Sequence, residues 1–526
     1  MTTSSPLGAV ASSHYLATEA GAAALRAGGT AVDAAIAAAA ALCVVYPNNV
    51  ALGGDLVALV RSPQGEISFV NATGRSAAGE SLDALRARHD GGLPSRGVDT
   101  VTVPGGIRGW EALAAIGGRL PWADRLEAAR RYARDGVPTA TSVARAIRDE
   151  RAALEADAGC RALFLPGGRP LDEGEPLVQP ALADTLDRIA EHGPDEFYTG
   201  ATASRWIDGL AALGSRITAT DAAAARAVVE APISETVGEL EVVTASPNTQ
   251  GFSLLRTVRA LANGLLGTPA DALGTGAGAL AAVFHDNNRV RGAWLSDPDV
   301  ATIDAAGLVA ADVPPLDELR ADLPATGDTV GLTAVSADGW AVSLVQSVYW
   351  AFGACVLEPS TGVLFQNRGT SFSLDPGHPA AFGPGLRPPH TLMPVLVLRD
   401  GELLQAQATM GGQAQPQIHA HLLLRTLAGA SALEATSSPR WVVGVQDAGD
   451  VEATITIERD VPEATLTSLH ASGLKPRLVP PRDENLGHSN LIRVVAGGYD
   501  AASDPRSDGS AIVVEAAAEL LEEAGR

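Results

Sequence analysis

Basic residues are scarce in this sequence, with 38 lysines and arginines against 61 aspartates and glutamates and a net charge of −23. Proteins that bind nucleic acids or anionic membranes need a basic face, so we predict neither partner. Lysine is almost absent: the sequence contains one lysine, Lys475, and 37 arginines. The base composition of a gene explains such a bias more simply than selection for arginine contacts does, so each arginine has to be judged by its own position.

Cysteine is also rare. Cys43, Cys160 and Cys355 are far apart in the sequence, which argues against a disulfide framework and a cysteine-rich zinc site. The zinc-protease motif HExxH is absent. His419 and His421 would diverge on a helix, and we interpret them as structural. We therefore predict that the protein holds no metal.

Long apolar runs are missing as well. The longest, residues 34–46, is too short to span a bilayer and predicts a buried helix. The first residues lack the basic start and the apolar core of a signal peptide, so we expect a cytoplasmic location. Apolar residues make up 46% of the chain but aromatics only 4%, which predicts a core of Ala, Val and Leu. The 526 residues allow one large domain or two.

Apolar periodicity and turn residues predict a mixed helical and extended chain. The predicted helices are 15–27, about 32 to Pro47, Trp122–Asp135, 142–156, 253–262, 417–427 and 516–523. The predicted strands are Asp55–Arg61, 66–71, 329–336, 340–350, 362–367 and 394–399. Prolines and a glycine make 312–328 the clearest loop in the middle of the chain.

The strands that follow this loop form the clearest predicted hairpin. A three-residue turn at 337–339, with glycine in the left-handed position, pairs Ser336 with Trp340 and places Thr329 opposite Ser347. A two-residue turn would place Val348 there instead, and a slip of one residue turns every side chain to the other face. Two facing hydroxyl groups favour the first register.

Thr329 begins a strand directly after the loop. A threonine hydroxyl is a weak nucleophile, but a threonine at the start of a chain can use its own α-amino group as the base. This requires cleavage between Asp328 and Thr329, with the same hydroxyl attacking the preceding carbonyl. Judged by this spacing alone, Thr329 is more simply one of many strand threonines.

Several segments resemble the γ-glutamyltranspeptidase family. Four are similar to its small subunit: GDTVGLTAVSADGWAVSLVQSVYWAFG, GVLFQNRGTSFSLDPGHP, LRPPHTLMPVLV and TMGGQAQPQIHAHLLL. Others are similar to its large subunit, among them ASSHYLATEAGAAALRAGGTAVDAAIAAAAAL, YPNNVALGGDL, VTVPGGIRGWEAL and WLSDPDV. Near the end, AGGYDAASDPRSDGSAI is similar to the family's closing segment. The resemblance covers nearly the whole chain in the family's order.

This resemblance implies an α+β fold of the N-terminal nucleophile (Ntn) hydrolases, an αββα sandwich with two antiparallel sheets between helical layers. It implies self-cleavage into parts 1–328 and 329–526, which stay associated as one domain. Thr329 aligns with the processing and catalytic threonine, and Ser347 with a hydroxyl residue that hydrogen-bonds the nucleophile. Gly411 and Gly412 align with the glycines whose N–H groups form the oxyanion hole. Because the terminal amine and these N–H groups would supply the base and the electrophile, the resemblance implies that no cofactor is needed.

The chain departs from the family pattern where γ-glutamyl enzymes hold the amino acid head of the substrate. Ala72 replaces the expected arginine, and Tyr349 replaces an asparagine. Ser371 replaces the aspartate that binds the α-ammonium group, and His390 and Thr391 replace a pair of serines. Because a buried ammonium group without a carboxylate is costly, these changes argue against γ-glutamyl substrates.

Two arginines remain near this expected pocket. Arg75 lies three residues beyond Ala72, and Arg368 replaces a glutamine of the binding loop. Together they favour a small acyl substrate with a carboxylate and no nearby ammonium group. The motifs are most similar to the branch that includes oxamate amidohydrolases, whose acyl group is oxalyl.

Three alternative functions stay open. The protein could be a true γ-glutamyl hydrolase or transpeptidase, or a C–C bond hydrolase that releases an oxalyl-type fragment in a natural-product pathway. It could also be a non-catalytic homologue that remains one chain. The sequence is compatible with a homo-oligomer, and it leaves the choice between hydrolysis and acyl transfer open.

Overall fold

The computed structural model describes residues 6–313, 328–444 and 453–516. Helices and strands follow one another along these residues. The α-helices, numbered α1 to α19 in chain order, are Tyr15–Arg26, Ala31–Val45, Leu82–Arg88, Gly106–Gly117, Trp122–Asp135, Thr141–Asp149, Arg151–Ala156, Ala158–Phe164, Pro180–His192, Asp195–Tyr198, Ala201–Ala212, Ala219–Ala224, Gly251–Ala262, Pro269–Leu273, Ala277–Trp294, Ala305–Ala310, Gln415–Leu427, Ala432–Ser437 and Glu463–His470.

The strands, numbered β1 to β20 in the same way, are Gly8–Ser12, Asp55–Arg61, Ile67–Ala72, Val137–Pro138, Pro176–Leu177, Val228–Glu230, Ile233–Val237, Leu240–Thr244, Asp328–Ser336, Ala341–Tyr349, Leu357–Glu358, Val363–Leu364, Val395–Arg399, Glu402–Thr409, Trp441–Val443, Thr454–Glu458, Lys475–Val479, Ser489–Val495, Gly498–Ser503 and Ser510–Val514. Two antiparallel sheets contain most of them. The first has the order β20-β1-β9-β10-β2-β3-β6, and the second has the order β19-β18-β14-β13-β8-β7.

The two sheets pack face to face. Val57, Phe69 and Val345 of the first sheet belong to one buried apolar cluster with Leu396 and Ala406 of the second. Such a layer excludes water from both inner faces. The strand that carries Thr329 therefore lies in the middle of the molecule.

Helices cover the outer face of each sheet. On the first sheet α2 lies against β9 and β10, and every residue of this alanine-rich helix is buried. Alanine side chains allow this close approach, and the prediction of a buried helix is confirmed. On the second sheet α13, α15 and α17 enclose another core. The arrangement is the predicted αββα sandwich of the Ntn hydrolases, an α+β fold.

The predicted hairpin register is confirmed. Gly339 has a left-handed φ of 97°, and Ser336 donates a backbone hydrogen bond to Trp340 over 2.9 Å. The regular pairing continues to Gln346, where a β-bulge shifts the partner of Tyr349 to the backbone of Asp328. The sequence did not predict this bulge, which lies beside the candidate nucleophile.

Other predicted elements differ in detail. The predicted helix 142–156 is two helices that meet at Glu150, and only Val363–Leu364 of the predicted strand 362–367 is paired as a strand. The predicted helix 516–523 lies outside the described residues apart from residue 516, as does most of the predicted loop 312–328. None of the described helices is long and apolar enough to cross a membrane.

Candidate active site

The hydroxyl groups of Thr329 and Ser347 form the centre of the candidate site. Thr329 Oγ1 donates a hydrogen bond to Ser347 Oγ over 3.1 Å, and both residues are fully buried. The backbone N–H of Tyr349 donates to the same Ser347 oxygen over 2.7 Å. The structure therefore brings together the two hydroxyl groups that the predicted hairpin register placed opposite each other.

The loop after α2 holds the backbone of Thr329. Asn49 Nδ2 donates a hydrogen bond to the Thr329 carbonyl oxygen over 3.2 Å, and Asn48 donates to Asn49 Oδ1 over 2.8 Å. Sequence reasoning missed a role for Asn49, although it lies in YPNNVALGGDL, one of the segments that resemble the family.

Tyr349 has an unusual backbone at the bulge. Its φ of 83° is left-handed, a conformation that is uncommon for a bulky residue and costs about 1 kcal/mol or more. The ring faces Arg368, whose guanidinium carbon lies 3.8 Å from the ring centre. This is a cation–π contact in a water-excluded site, where such contacts are strongest.

Arg368 is completely buried. Its Nη1 donates to Thr391 Oγ1 over 3.0 Å, while Nε and Nη2 have no hydrogen-bond partner among the described residues. Burial lowers the pKa of Arg368 to about 10, so the side chain remains cationic at neutral pH. The site therefore contains a cation without a bound carboxylate.

Gln250 joins Thr391 to the glycine pair. Its Nε2 donates to the Thr391 carbonyl over 2.6 Å and to the Gly412 carbonyl over 2.9 Å. Gly411 and Gly412 have positive φ values of 141° and 51°, which glycine adopts at little cost. Neither of their N–H groups donates to another described residue. Both remain available as donors to a ligand.

His390 and Asp55 form a buried pair near the same network. Asp55 Oδ2 lies 3.2 Å from His390 Nε2, and its Oδ1 accepts hydrogen bonds from Gly74 N at 2.9 Å, Gly105 N at 3.2 Å and Gln366 Nε2 at 2.9 Å. Burial lowers the pKa of His390 to about 4, so the imidazole is neutral at pH 7 and donates to Asp55. The carboxylate of Asp55 is therefore fully used by protein groups.

A cavity of about 360 Å³ lies beside Tyr349 and Gln413. Ser371 and Arg291 also line it, and the hydroxyl of Ser371 has no partner among the described residues. The wall that the structure describes contains no aspartate or glutamate. Sequence reasoning missed Arg291, because α15 gives no pattern that separates this arginine from its neighbours.

Arg75 lies elsewhere, which corrects the prediction that it enters one pocket with Arg368. Its Nη2 binds Asp299 over 2.7 Å, its Nη1 binds the Gly385 carbonyl over 2.9 Å, and 42% of the side chain is exposed. It lines a different cavity with Asp221. Because the guanidinium is already paired with Asp299 at the surface, it does not join the site around Thr329.

The predicted structural role of the two neighbouring histidines is confirmed. His419 contacts Gln407 Oε1 at 3.0 Å and the Met393 carbonyl at 3.1 Å, and His421 contacts the Trp441 carbonyl at 3.0 Å. Among the described residues no group of three or more His, Cys, Asp or Glu side chains could hold a metal ion.

Comparisons with known proteins agree with this fold. The gamma-glutamyltranspeptidase family model matches residues 17–514. The Glutathione hydrolase-like YwrD proenzyme of Bacillus subtilis (strain 168) is 35% identical over 515 residues, which cover 96% of this chain and 98% of the relative. The Oxamate amidohydrolase proenzyme of Klebsiella pneumoniae is 35% identical over 519 residues, covering 95% of this chain and 97% of the relative.

Among solved structures, cephalosporin acylase from Bacillus halodurans superposes with a TM-score of 0.86 at 29% identity, covering 98% of this chain and 97% of that one. Fold, sequence and relatives agree on an enzyme of the Ntn-hydrolase type with amidohydrolase chemistry. The chain therefore belongs to the gamma-glutamyltranspeptidase family.

Proposed function

We propose that this protein is a self-processing N-terminal-threonine amidohydrolase or acyltransferase that acts on a small acyl group bearing a carboxylate. The observation that carries the proposal is the hydrogen bond from Thr329 to Ser347 beside the buried, incompletely paired Arg368. Tyr349 connects the two, because its backbone N–H donates to Ser347 and its ring faces Arg368.

Processing would begin at the peptide bond between Asp328 and Thr329. Thr329 Oγ attacks the Asp328 carbonyl carbon, and the C–N bond breaks as the acyl group moves from nitrogen to oxygen. Water hydrolyses the resulting ester, which leaves a carboxylate on Asp328 and frees both the hydroxyl and the amine of Thr329. Asn49 holds the Thr329 carbonyl during these steps.

The same hydroxyl would then turn over substrate. The free amine of Thr329 accepts the hydroxyl proton while Oγ attacks the substrate carbonyl. The N–H groups of Gly411 and Gly412 stabilise the negative oxygen that forms. The leaving amine takes the proton, and the acyl ester passes to water or to an acceptor amine.

Strand order supports the continued association of parts 1–328 and 329–526. In the first sheet β1 lies between β20 and β9, and β2 lies beside β10. Strands from the two sides of the proposed cleavage point are therefore hydrogen-bonded neighbours. Separation of the parts would break these ladders and expose the shared core.

The charges of the site favour a carboxylate over a γ-glutamyl head group. Arg291 in the cavity wall and the buried Arg368 supply positive charge, and the described wall offers no carboxylate for an ammonium group. Ser371, at the position of the expected aspartate, is uncharged. Of the two relatives at 35% identity, the one named for oxamate fits this charge pattern, because oxamate carries a carboxylate without an ammonium group.

The test combines a denaturing gel with mass spectrometry. We expect wild-type protein to run as fragments 1–328 and 329–526, and Thr329→Ala to remain one chain. Incubation with oxamate, a γ-glutamyl amide and an oxalyl ketone should place an oxalyl mass on fragment 329–526 with oxamate. Acylation by the γ-glutamyl amide alone would support a γ-glutamyl enzyme, and acylation by the ketone alone would support a C–C hydrolase. A wild-type chain that stays uncleaved would support a non-catalytic homologue.

A further inference from the structure

Arg291 is a buried cation in the wall of the cavity. It projects from α15 and is only 6% exposed, its Nε has no hydrogen-bond partner among the described residues, and no described carboxylate forms an ion pair with it. Arg289, two residues earlier on the same helix, is different, because it binds Asp286 over 2.7 Å and its side chain is 56% exposed.

The charges around Arg291 leave it uncompensated. Tyr349 borders the same cavity, and the charge of Arg291 is near enough to Arg368 to contribute to the lowered pKa of Arg368, after the larger effect of burial. The nearby buried carboxylate, Asp55, already accepts hydrogen bonds from His390, Gln366 and two backbone N–H groups. Burying an unpaired guanidinium is costly unless an anion accompanies it. In a protein with a net charge of −23, this cavity is a local positive site.

Arg291 and Arg368 differ in their access to a ligand. Arg291 lines the cavity, whereas the guanidinium of Arg368 is covered by the Tyr349 ring and bound to Thr391. A ligand in the cavity therefore meets Arg291 first. Arg368 lies behind the Tyr349 ring, so it can influence a ligand by fixing the position of that ring in the cavity wall.

We propose that Arg291 binds the carboxylate of the substrate. Arg368 is then a positioning residue that holds the Tyr349 ring against the substrate. This inference rests on the proposed function and names the residue that sets its specificity. A guanidinium can bind both oxygens of a carboxylate through parallel N–H groups, which a neutral carboxamide does not reproduce.

The apolar side chains and the volume of the cavity leave room for substrates longer than an oxalyl group. Leu93, Leu295, Trp350 and Phe372 line the cavity together with Arg291. A volume of about 360 Å³ is far larger than an oxalyl group. The substrates to compare are therefore monoamides of oxalic, succinic and glutaric acid, each with its uncharged diamide as the matched partner.

The measured quantity is the ratio of kcat/KM for each monoamide to kcat/KM for its diamide. We expect Arg291→Gln to lower this ratio at least tenfold for the preferred chain length, mainly through KM. Arg291→Lys keeps the charge but loses the forked geometry, so its ratio should fall at least threefold. Arg289→Gln is the matched control and should keep the wild-type ratio. Self-cleavage of each variant reports that it has folded.

The outcomes separate this inference from the proposed function. A wild-type protein that neither cleaves itself nor hydrolyses any of the amides would remove the proposed function. A wild-type enzyme that works, together with an Arg291→Gln variant that cleaves itself and keeps the ratio, would overturn the role of Arg291 alone. If Arg291→Gln fails to fold, an unchanged kcat/KM ratio in Arg291→Lys would likewise overturn the role of Arg291.

Discussion

The guanidinium carbon of Arg368 lies 3.8 Å from the centre of the Tyr349 ring, and the backbone of that tyrosine is held at a φ of 83°. Two unfavourable features thus meet, a buried cation with free donors and a left-handed tyrosine. Such features persist where the surrounding structure stabilises them, and they are concentrated at functional sites. The bulge after Ser347 connects this contact directly to the candidate nucleophile.

The ring of Tyr349 is predicted to contribute more to kcat/KM than its hydroxyl group does. Tyr349→Phe keeps the ring over Arg368, so its kcat/KM for a carboxylate-bearing amide should stay within about twofold of wild type. Tyr349→Ala removes a desolvated cation–π contact of about 2 kcal/mol, which corresponds to a loss of roughly thirtyfold. Steady-state kinetics of both variants measure this. Equal losses in the two variants would show that the hydroxyl, rather than the ring, is required.

Ser347 is predicted to support both self-cleavage and turnover. Ser347→Ala removes the acceptor of the Thr329 hydroxyl and of the Tyr349 N–H, and each rate should fall about tenfold, or about 1.4 kcal/mol. The rates come from a cleavage time course on gels and from amide hydrolysis. Ser343→Ala is a matched control, because this buried serine of β10 bonds the Gln407 carbonyl instead. Wild-type cleavage by Ser347→Ala would contradict the role.

Gly411 is predicted to tolerate no side chain. A Cβ there would lie 2.4 Å from Ile418 Cδ1 at a φ of 141°, so the N–H groups of the glycine pair would move. Loss of an oxyanion donor lowers kcat by about a hundredfold or more, and Gly411→Ala should show such a loss in amide hydrolysis. The control is Gly429→Ala, because Gly429 has a φ of 99° with open space around its Cβ position. Similar kcat losses in both variants would assign the effect to backbone strain.

Stability is predicted to fall in mild acid. Burial lowers the pKa of His14, His390 and His488 to about 4 and that of His419 to about 3. Between these values and the ordinary value near 6.5, the unfolded chain binds more protons than the folded one, so folding free energy is lost as pH falls. Each histidine contributes about 1.4 kcal/mol per pH unit in that range.

Urea unfolding at steps from pH 7 to pH 4.5 measures this dependence. The variant His419→Gln removes one of the buried imidazoles and should reduce the slope of the unfolding free energy against pH. A stability that is constant over this range would contradict the prediction that these imidazoles are neutral in the folded protein.

Local signals in the sequence predicted the centre of the site. Gly339 predicted the turn, and the turn set the register that the structure shows from Ala341 to Gln346. The hydroxyl groups of Thr329 and Ser347, which this register placed opposite each other, are in contact. The bulge at Tyr349 was not predictable in this way, because it depends on contacts with residues distant in sequence. The strand β1 was missed for a related reason, since its five residues show no alternation and gain their pairing from β9 and β20.

The cations near the cavity were predicted less well than the contact between Thr329 and Ser347. Arg75 was chosen by its distance from the position of the missing arginine, and Arg368 by its position in the binding-loop motif. Asp299, however, pairs with Arg75 at the surface. Arg291 was passed over because burial, rather than residue type, distinguishes it from Arg289. Sequence position therefore predicted the contact between Thr329 and Ser347, whereas the difference in burial between Arg291 and Arg289 became visible only in the packed structure.

β1, near the start of the chain, and β20, near its end, are neighbouring strands, so the two ends of the fold could be joined by a linker and the chain opened elsewhere. Leu7 donates a backbone hydrogen bond to Val514 over 2.7 Å, so these two segments run side by side. A circularly permuted gene could begin at Thr329, continue through β20 and enter β1 through a short linker, and every strand would keep its neighbours. Once the initiator methionine had been removed, the threonine amine would be free without any internal cleavage. Such a permutant would separate the chemistry of maturation from the chemistry of turnover.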